Sequence, residues 1–192
     1  MIKKYSLIQD KNKKLSTNFI VQEFACKDNS NTILVDTELV KILQNIRDHF
    51  NKPITITSGY RSPSYNKKIG GVSNSQHTKG TAADIIVKDT SPLEVAKYAE
   101  YLMPKSGGIG LYDSFTHIDT RAIRSRWQTK NNKETVVNGF FGYVPTSPLD
   151  NALEILINKG IISEPTKWKN KSWSKENMSC LIIKMAQYLN NL

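Results

Sequence analysis

The feature that most constrains the fold is a carboxylate set inside an apolar strand, directly after a long polar connection. Asp84 lies in the segment Ala82 to Val87, "AADIIV", whose other residues are apolar and predict a buried β-strand. Burying an unpaired charge is costly, so Asp84 requires a cation or a hydrogen-bond network around it. The connection from Ser58 to Gly80 is rich in polar residues and contains His77. Long connections of this kind in compact domains are usually functional or disordered, and the several potential chemical groups in this one favour a functional site.

A second predicted strand carries polar groups among apolar neighbours. His117 and Asp119 lie two residues apart between Phe115 and Thr120, so both side chains point to one face. Imidazole nitrogens and carboxylate oxygens are zinc ligands, and two nitrogens with one carboxylate leave a fourth position on the metal open, as in catalytic sites. The sequence therefore predicts a metal site formed by His77, Asp84 and His117, with Asp119 beside it.

Two helices are predicted beside these strands. Asp36 is the predicted N-cap of a helix that runs to Phe50, with apolar residues at helical spacing. The segment "SPLE" at residues 91–94 combines an N-cap, a proline at the first helical position and a capping-box glutamate, and predicts a helix to about Met103. The helix dipole favours His49 near the end of the first helix, so we assign it a structural role.

The predicted fold class is α+β: a small, mainly antiparallel sheet with flanking helices, followed by a small helical module at the C-terminus. Residues 1–15 are expected to form a loose basic arm, and residues 16–127 the domain that bears the site. Residues 128–148, rich in Lys, Asn, Gly and Pro, are a predicted linker, and residues 149–192 are the helical module. Its last helix is predicted to begin at Ser174, because apolar residues follow on one face.

Composition excludes several classes of protein. The two cysteines, Cys26 and Cys180, are too few for a disulfide framework or a cysteine zinc site. No apolar run approaches the roughly 18 residues of a membrane span. The net charge of +10 favours a polyanionic partner. No nucleic-acid-binding motif accompanies that charge, so nucleic acid is not the predicted partner.

The motifs around the predicted metal site resemble those of a known family. The pattern Ser-x-His-x-x-Gly-x-Ala-x-Asp is followed by "GGIGLYDSFTHIDTR", and its positions are Ser75, His77, Gly80, Ala82 and Asp84. With these motifs, residues 16–127 resemble the D-alanyl-D-alanine carboxypeptidase superfamily of zinc peptidases, which shares its fold with the hedgehog signalling domain. The branch resembled most ends in a His-x-Asp strand and is often found in phage lysins and bacterial murein hydrolases.

The resemblance implies roles for individual residues. His77 and Asp84 match the first two zinc ligands, and His117 matches the third. Arg61, in "GYRS", matches an arginine near the scissile carbonyl or the substrate carboxylate, where a fixed guanidinium stabilises oxyanion charge. Three further residues are expected to bind substrate or to wall the cleft: Ser75, Gln76 and Tyr60.

One position departs from the family pattern. Many members carry an acid three residues before the last ligand, where this chain has Ser114. Asp119 is the preferred residue for the role of general base, or for the role of orienting His117, and Asp113 is the reserve candidate. In an alternative alignment with His-x-His members, Asp119 replaces His117 as the ligand.

The resemblance implies a zinc-dependent peptidase that cuts peptidoglycan stem peptides, either at a D-Ala-D-Ala end or at an L-Ala-D-Glu bond. The alternative function is a non-catalytic, zinc-binding and cell-wall-binding module of the same fold. Anionic wall polymers are a further expected partner because of the positive charge. The N-terminal segment has basic residues but no apolar signal-peptide core, so we expect synthesis in the cytoplasm and lysis-type release to the wall.

Overall fold

The structure of the protein is a computed structural model that describes residues 1–131, 133–137, 141, 156, 159–162 and 174–190. The chain divides into two compact units, Met1–Tyr143 and Val144–Leu192. No helix within the described ranges is both long enough and apolar enough to cross a membrane.

The first unit combines eight strands with four α-helices and two 3-10 helices among its described residues. Its strands are β1 (Ile2–Ser6), β2 (Thr32–Asp36), β3 (Ile54–Ser58), β4 (Ala82–Val87), β5 (Gly108–Leu111), β6 (Thr116–Asp119), β7 (Ser125–Lys130) and β8 (Lys133–Val136). Its helices are α1 (Leu7–Asp10), α2 (Thr37–Phe50), α3 (Pro63–Lys68) and α4 (Pro92–Leu102), with 3-10 helices at Val21–Phe24 and Gln76–Lys79. The predicted α+β class is confirmed.

A six-stranded sheet with the order β3-β4-β6-β5-β7-β8 forms the centre of this unit. All neighbouring strands are antiparallel except β5 and β7, which are parallel. The register places Asp84 of β4 beside His117 of β6, which in turn lies beside Gly110 of β5. Gly110 is the neighbour of Trp127 on β7. Asp84 and His117 therefore lie in one row across the sheet, together with Gly110 and Trp127.

The two faces of the sheet differ because successive side chains in a strand alternate. Ile85 and Ile118, next to Asp84 and His117 in the chain, are almost completely buried in the core. Helix α4 packs against β5 and β6, and α2 packs against α4 and β4, on this apolar side. The metal-site residues point to the opposite face, which the two helices leave free.

The capping signals placed both major helices correctly. The side chain of Asp36 accepts a hydrogen bond from the N–H of Glu38 at the start of α2. Ser91 and Glu94 form the predicted capping box at the start of α4. His49 stacks on Tyr98 of α4 with ring centroids 3.6 Å apart, as expected for a structural histidine.

The N-terminal residues do not form the loose arm expected from the sequence. Strand β1 pairs antiparallel with β2 over its whole length. Tyr5 and Leu7 pack against the hydrophobic core, which gives this basic segment a reason to order. The prediction of a loose arm is therefore wrong for residues 2–10.

The predicted linker also begins with regular structure. β7 and β8 form a hairpin in which Trp127 lies opposite Val136 and Thr129 lies opposite Glu134. Arg126 of β7 is buried on the helix side, where its guanidinium forks onto Glu100 of α4 at 2.6 and 3.1 Å. The linker prediction is therefore wrong for residues 128–130 and 133–136.

The second unit is described only in part. Its helix, α5 (Lys175–Asn190), follows Ser174, whose hydroxyl accepts a hydrogen bond from the N–H of Asn177, as the predicted helix start requires. Residues 132, 138–140 and 142–148 of the predicted linker lie outside the described residues, and so do residues 149–155, 157–158, 163–173 and 191–192 of the predicted helical module.

Candidate metal centre

Three side-chain atoms converge on the open face of the sheet. His77 Nε2 and His117 Nδ1 are 3.3 Å apart, His77 Nε2 lies 3.3 Å from Asp84 Oδ1, and His117 Nδ1 lies 2.8 Å from the same oxygen. A tetrahedral zinc ion with bonds of about 2.0–2.1 Å spaces its ligand atoms about 3.3–3.4 Å apart. The donor set therefore fits a metal of this kind in its chemistry and in two of its three spacings, while His117 Nδ1 and Asp84 Oδ1 lie at hydrogen-bond distance.

The backbone brings these groups together from three segments. β4 and β6 place Asp84 and His117 as direct cross-strand partners. His77 lies on the 3-10 helix Gln76–Lys79, which ends at Gly80 with φ +72°. A side chain at Gly80 would be strained by this left-handed φ and would also collide with the backbone of Leu34. Gly80 therefore allows the turn that brings His77 to the sheet.

Each imidazole is fixed by its second nitrogen. His77 Nδ1 lies 2.7 Å from the carbonyl oxygen of Gly59, to which it can only donate. His117 Nε2 lies 3.0 Å from Asp119 Oδ2. In the neutral imidazoles these hydrogen bonds would select the tautomers that present His77 Nε2 and His117 Nδ1 to a metal, and such partners are the usual second contacts of metal-binding histidines.

Asp119 is fully buried, and its two oxygens are engaged on several sides. Arg121 donates from Nε to Oδ1 at 2.8 Å and from Nη2 to Oδ2 at 2.6 Å. The backbone N–H groups of Arg121 and Gly108 also donate to Oδ1. Burial would raise the pKa of Asp119, but the hydrogen bonds from His117 and Arg121 hold it below its usual range. This environment suits a carboxylate that orients His117.

Asp84 is ionised for a related reason. Burial would raise its pKa, but hydrogen bonds from His117 and His77 hold the pKa well below its ordinary value. Its second oxygen, Oδ2, accepts a hydrogen bond from Arg61 Nη2 at 2.8 Å. Arg61 Nε donates to Ser58 Oγ, which fixes the guanidinium beside the three converging atoms.

The same carboxylates act on His117. Burial alone would lower the pKa of this imidazole, but the hydrogen bonds to Asp119 and Asp84 raise it to about 8. Without a metal, His117 therefore holds a second proton at neutral pH. A metal ion that binds there must displace this proton.

The converging atoms open into a cavity of about 730 Å³. Arg61, Ser75 and Gln76 line it, as expected for substrate-binding groups. Tyr60 does not: it is 7% exposed and belongs to the hydrophobic core, because its N–H donates to the carbonyl of Phe24 and holds this segment inward. The expectation that Tyr60 walls the cleft is corrected accordingly.

Asp113, the reserve candidate for proton transfer, is exposed between β5 and β6 and is not among the cavity-lining residues. The structure thus separates the two acids named from the sequence. Asp119 contacts His117 directly, whereas Asp113 is exposed and does not line the cavity.

Sequence reasoning missed the far side of the cavity. Trp127 lines it, with its ring centroid 5.1 Å from that of His117 and its Nε1 donating to the hydroxyl of Tyr112. The guanidinium of Arg121 lies over the same indole. A Cβ on Gly110 would meet the indole at 2.5 Å, so only glycine lets Trp127 lie against β5. Glycine inside a predicted strand was the available signal, because it often marks such a close approach.

An α+β domain with a buried His-Asp-His group at the edge of an open cavity defines a metallopeptidase-like class of protein. The family model described as Peptidase M15 matches residues 17–119, just over half of the chain. The chain therefore belongs to the peptidase M15 family, whose members are metallopeptidases, and this confirms the resemblance drawn from the motifs.

Curated relatives match a shorter stretch. The peptidoglycan L,D-endopeptidase MepK of Escherichia coli strain K12 is 36% identical over 80 residues, which cover 38% of this chain and 43% of MepK. The MepK proteins of Escherichia coli O157:H7 and Shigella flexneri match with the same identity and coverage. The chain thus spans less than half the length of the curated relatives it matches.

Proposed function

We propose that the protein is a zinc-dependent peptidase that hydrolyses peptide bonds in the stem peptides of bacterial peptidoglycan. The observation that carries this proposal is the convergence of His77 Nε2, Asp84 Oδ1 and His117 Nδ1 beside an open cavity. Three protein ligands with one open position are typical of catalytic zinc sites. When bound, zinc supplies Lewis acidity, which polarises a carbonyl group and makes water nucleophilic near neutral pH.

The residues of the chain hold and orient this centre. Gly59 fixes the tautomer of His77 through its carbonyl, and Asp119 fixes that of His117. We assign Asp119 to this orienting role, because Arg121 and two backbone N–H groups already occupy its oxygens. His117 is our third ligand, in preference to Asp119, because its Nδ1 points to the other two donors.

Arg61 is the group we assign to the reacting carbonyl. Its guanidinium lines the cavity and is held by Ser58 and Asp84. A guanidinium fixed in this way stabilises negative charge that develops on a carbonyl oxygen without having to reorganise. Ser75 and Gln76, on the neighbouring wall, are placed to contact the peptide.

Two further features support peptidoglycan as the substrate. The curated relatives are named peptidoglycan L,D-endopeptidases, which favours a bond between an L-residue and a D-residue. An L-Ala-D-Glu bond is of this type, whereas a D-Ala-D-Ala bond is not. Several arginines line the cavity, and stem peptides carry free carboxylates that such groups attract.

The test is digestion of purified peptidoglycan with the zinc-loaded protein, with the Asp84→Ala variant as control. Mass spectrometry identifies the released ends. A new N-terminal D-Glu indicates an L-Ala-D-Glu endopeptidase, and free D-Ala indicates a carboxypeptidase. Stoichiometric bound zinc without any new peptide ends would sink the enzyme proposal and favour the non-catalytic wall-binding module.

A further inference from the structure

We infer that the β7–β8 hairpin forms a second binding wall, on which Glu134 binds a free primary amine on a side chain of the peptide substrate. This inference rests on the proposed function and names the chemistry of one of its subsites. The hairpin lies beyond residues 17–119, the part of the chain matched by the family model.

The sheet register places Glu134 on the face that carries the metal site. Val136 pairs with Trp127, which is the neighbour of Gly110 and so lies in the row of His117. Glu134 is two residues from Val136, and residues two apart in a strand share a face. Both Glu134 and Val136 line the same cavity as the metal site.

Distance separates Glu134 from the chemistry at the metal. β8 is three strands away from β6, which is about 14 Å across the sheet, and Glu134 lies two residues, about 7 Å, along β8 from the row of His117. The separation is therefore about 16 Å along a flat sheet, which an extended peptide covers with about five residues. Glu134 is therefore placed to contact a substrate residue near the scissile bond, and not the reacting atoms.

The charges of the cavity differ between its two ends. Three arginines that line it are each paired with a buried carboxylate: Arg61 with Asp84, Arg121 with Asp119, and Arg124 with Glu100. Among the described lining residues the carboxylates are Asp84, which is buried, and Glu134, which is exposed. Glu134 thus offers a carboxylate to a ligand at the hairpin end of the cavity.

Trp127 and Val136 supply the surface between the metal site and Glu134. The indole is half-buried, and Val136 is 75% exposed directly across from it. The alkyl chain of a lysine-like side chain packs well on such a surface while its ammonium group reaches an acid. The ligand class is therefore a peptide with a diamino residue whose side-chain amine is free.

The experiment compares two pentapeptides, L-Ala-γ-D-Glu-L-Lys-D-Ala-D-Ala with a free lysine amine and the same peptide with that amine acetylated. The zinc-loaded wild type, Glu134→Gln and the control Glu38→Gln are assayed for kcat/KM on both. We expect the wild type and Glu38→Gln to prefer the free amine about fivefold, the size of an exposed ion pair of about 1 kcal/mol. In Glu134→Gln the ratio should fall close to one. Glu38 is an exposed carboxylate on α2, paired with Lys41.

A second measurement keeps this inference separate from the proposed function. Calorimetry on the metal-free full chain measures binding of both pentapeptides without hydrolysis. If no peptide is cut but Glu134→Gln abolishes a binding preference for the amine, the peptidase proposal fails and the amine subsite stands. If the preference is absent, or persists in Glu134→Gln, the amine subsite is overturned whatever the peptidase result.

Discussion

The two walls of the cavity are built on different principles. In the metal wall, His77, Asp84 and His117 are each less than 10% exposed, and each hydrogen-bonds both to a fellow ligand and to a further group that orients it. In the hairpin wall, the four residues of β8 are all exposed. The metal wall is therefore organised before anything binds, whereas contacts with substrate would complete the hairpin wall. We therefore expect changes in the metal wall to alter metal binding, and changes in the hairpin wall to alter the choice of substrate.

The largest expected effect is the loss of the metal in Asp84→Ala. This change removes a ligand and leaves Arg61 without its carboxylate partner. We expect zinc affinity to fall by more than the roughly 10–100-fold typical of losing an outer partner of a metal ligand. Elemental analysis after gel filtration should show one zinc ion per wild-type chain and almost none in the variant. Retention of stoichiometric zinc by Asp84→Ala and by His77→Ala would show that the ligand set is wrong.

The next effect separates the two acids named from the sequence. Asp119→Asn should weaken zinc binding about 10–100-fold, because the neutral amide orients and polarises His117 less well. Competition with a chelator measures this change. Asp113→Asn is the matched control, since Asp113 is exposed and does not line the cavity. If Asp113→Asn weakened zinc binding more than Asp119→Asn did, the assigned roles would be contradicted. If Asp113→Asn lost kcat but kept its zinc, proton transfer would be assigned to Asp113.

The pH dependence of metal binding tests the electrostatics of the first wall. The pKa of His117 is raised to about 8, so the metal-free protein carries a proton there below that pH. Zinc must displace this proton, so its apparent affinity should fall about tenfold for each pH unit below about 8 and stay level above. Titrations between pH 6 and 9 measure the slope. In Asp119→Asn the break should move to lower pH, because the imidazolium loses a partner, and an unmoved break would remove Asp119 as the cause.

The smallest expected effect on the metal comes from the hairpin side. Gly110→Ala places a methyl group against the indole of Trp127 and should lower the free energy of unfolding by about 1–3 kcal/mol through overpacking. Zinc affinity should change less than about threefold, because the ligands lie on other segments. In the Trp127→Ala background, Gly110→Ala should cost much less than in the wild type, and denaturant unfolding of the wild type, both single variants and the double variant measures this difference. Equal losses with and without Trp127 would show that the contact is not the cause.

The sequence predicted the first wall well because its signals are local. Asp84 stands out as a charge in an apolar strand, and the caps at Asp36 and Ser91 mark the helices that cover the other face. The strand His117-x-Asp119 also predicted two side chains on one face. The sequence did not decide which of His117 and Asp119 is the ligand. Our assignment of His117 depends on the structure, in which Arg121 and the N–H of Gly108 donate hydrogen bonds to the carboxylate of Asp119.

The hairpin wall could not be predicted because it depends on hydrogen-bond pairing between strands that are distant in sequence. β7 joins the sheet through a parallel partner, β5, and nothing in the polar segment that starts at Gln128 signals a hairpin. The expectation for Tyr60 failed because of a contact that the sequence does not show. An aromatic residue in a polar loop suggests a cleft wall, but the backbone N–H of Tyr60 donates a hydrogen bond to the carbonyl of Phe24, and the side chain lies in the core.

Two consecutive residues of β7 have opposite tasks. Arg126 is anchored beneath the sheet by Glu100 and by the carbonyl oxygen of Gly107, whereas Trp127 faces the cavity. The contacts that hold β7 in place therefore lie on the helix side of the sheet and do not involve the side chains that face the cavity. If the hairpin binds substrate as inferred, substitutions of Glu134 and Val136 should change the preferred peptide without moving the residues of the metal site.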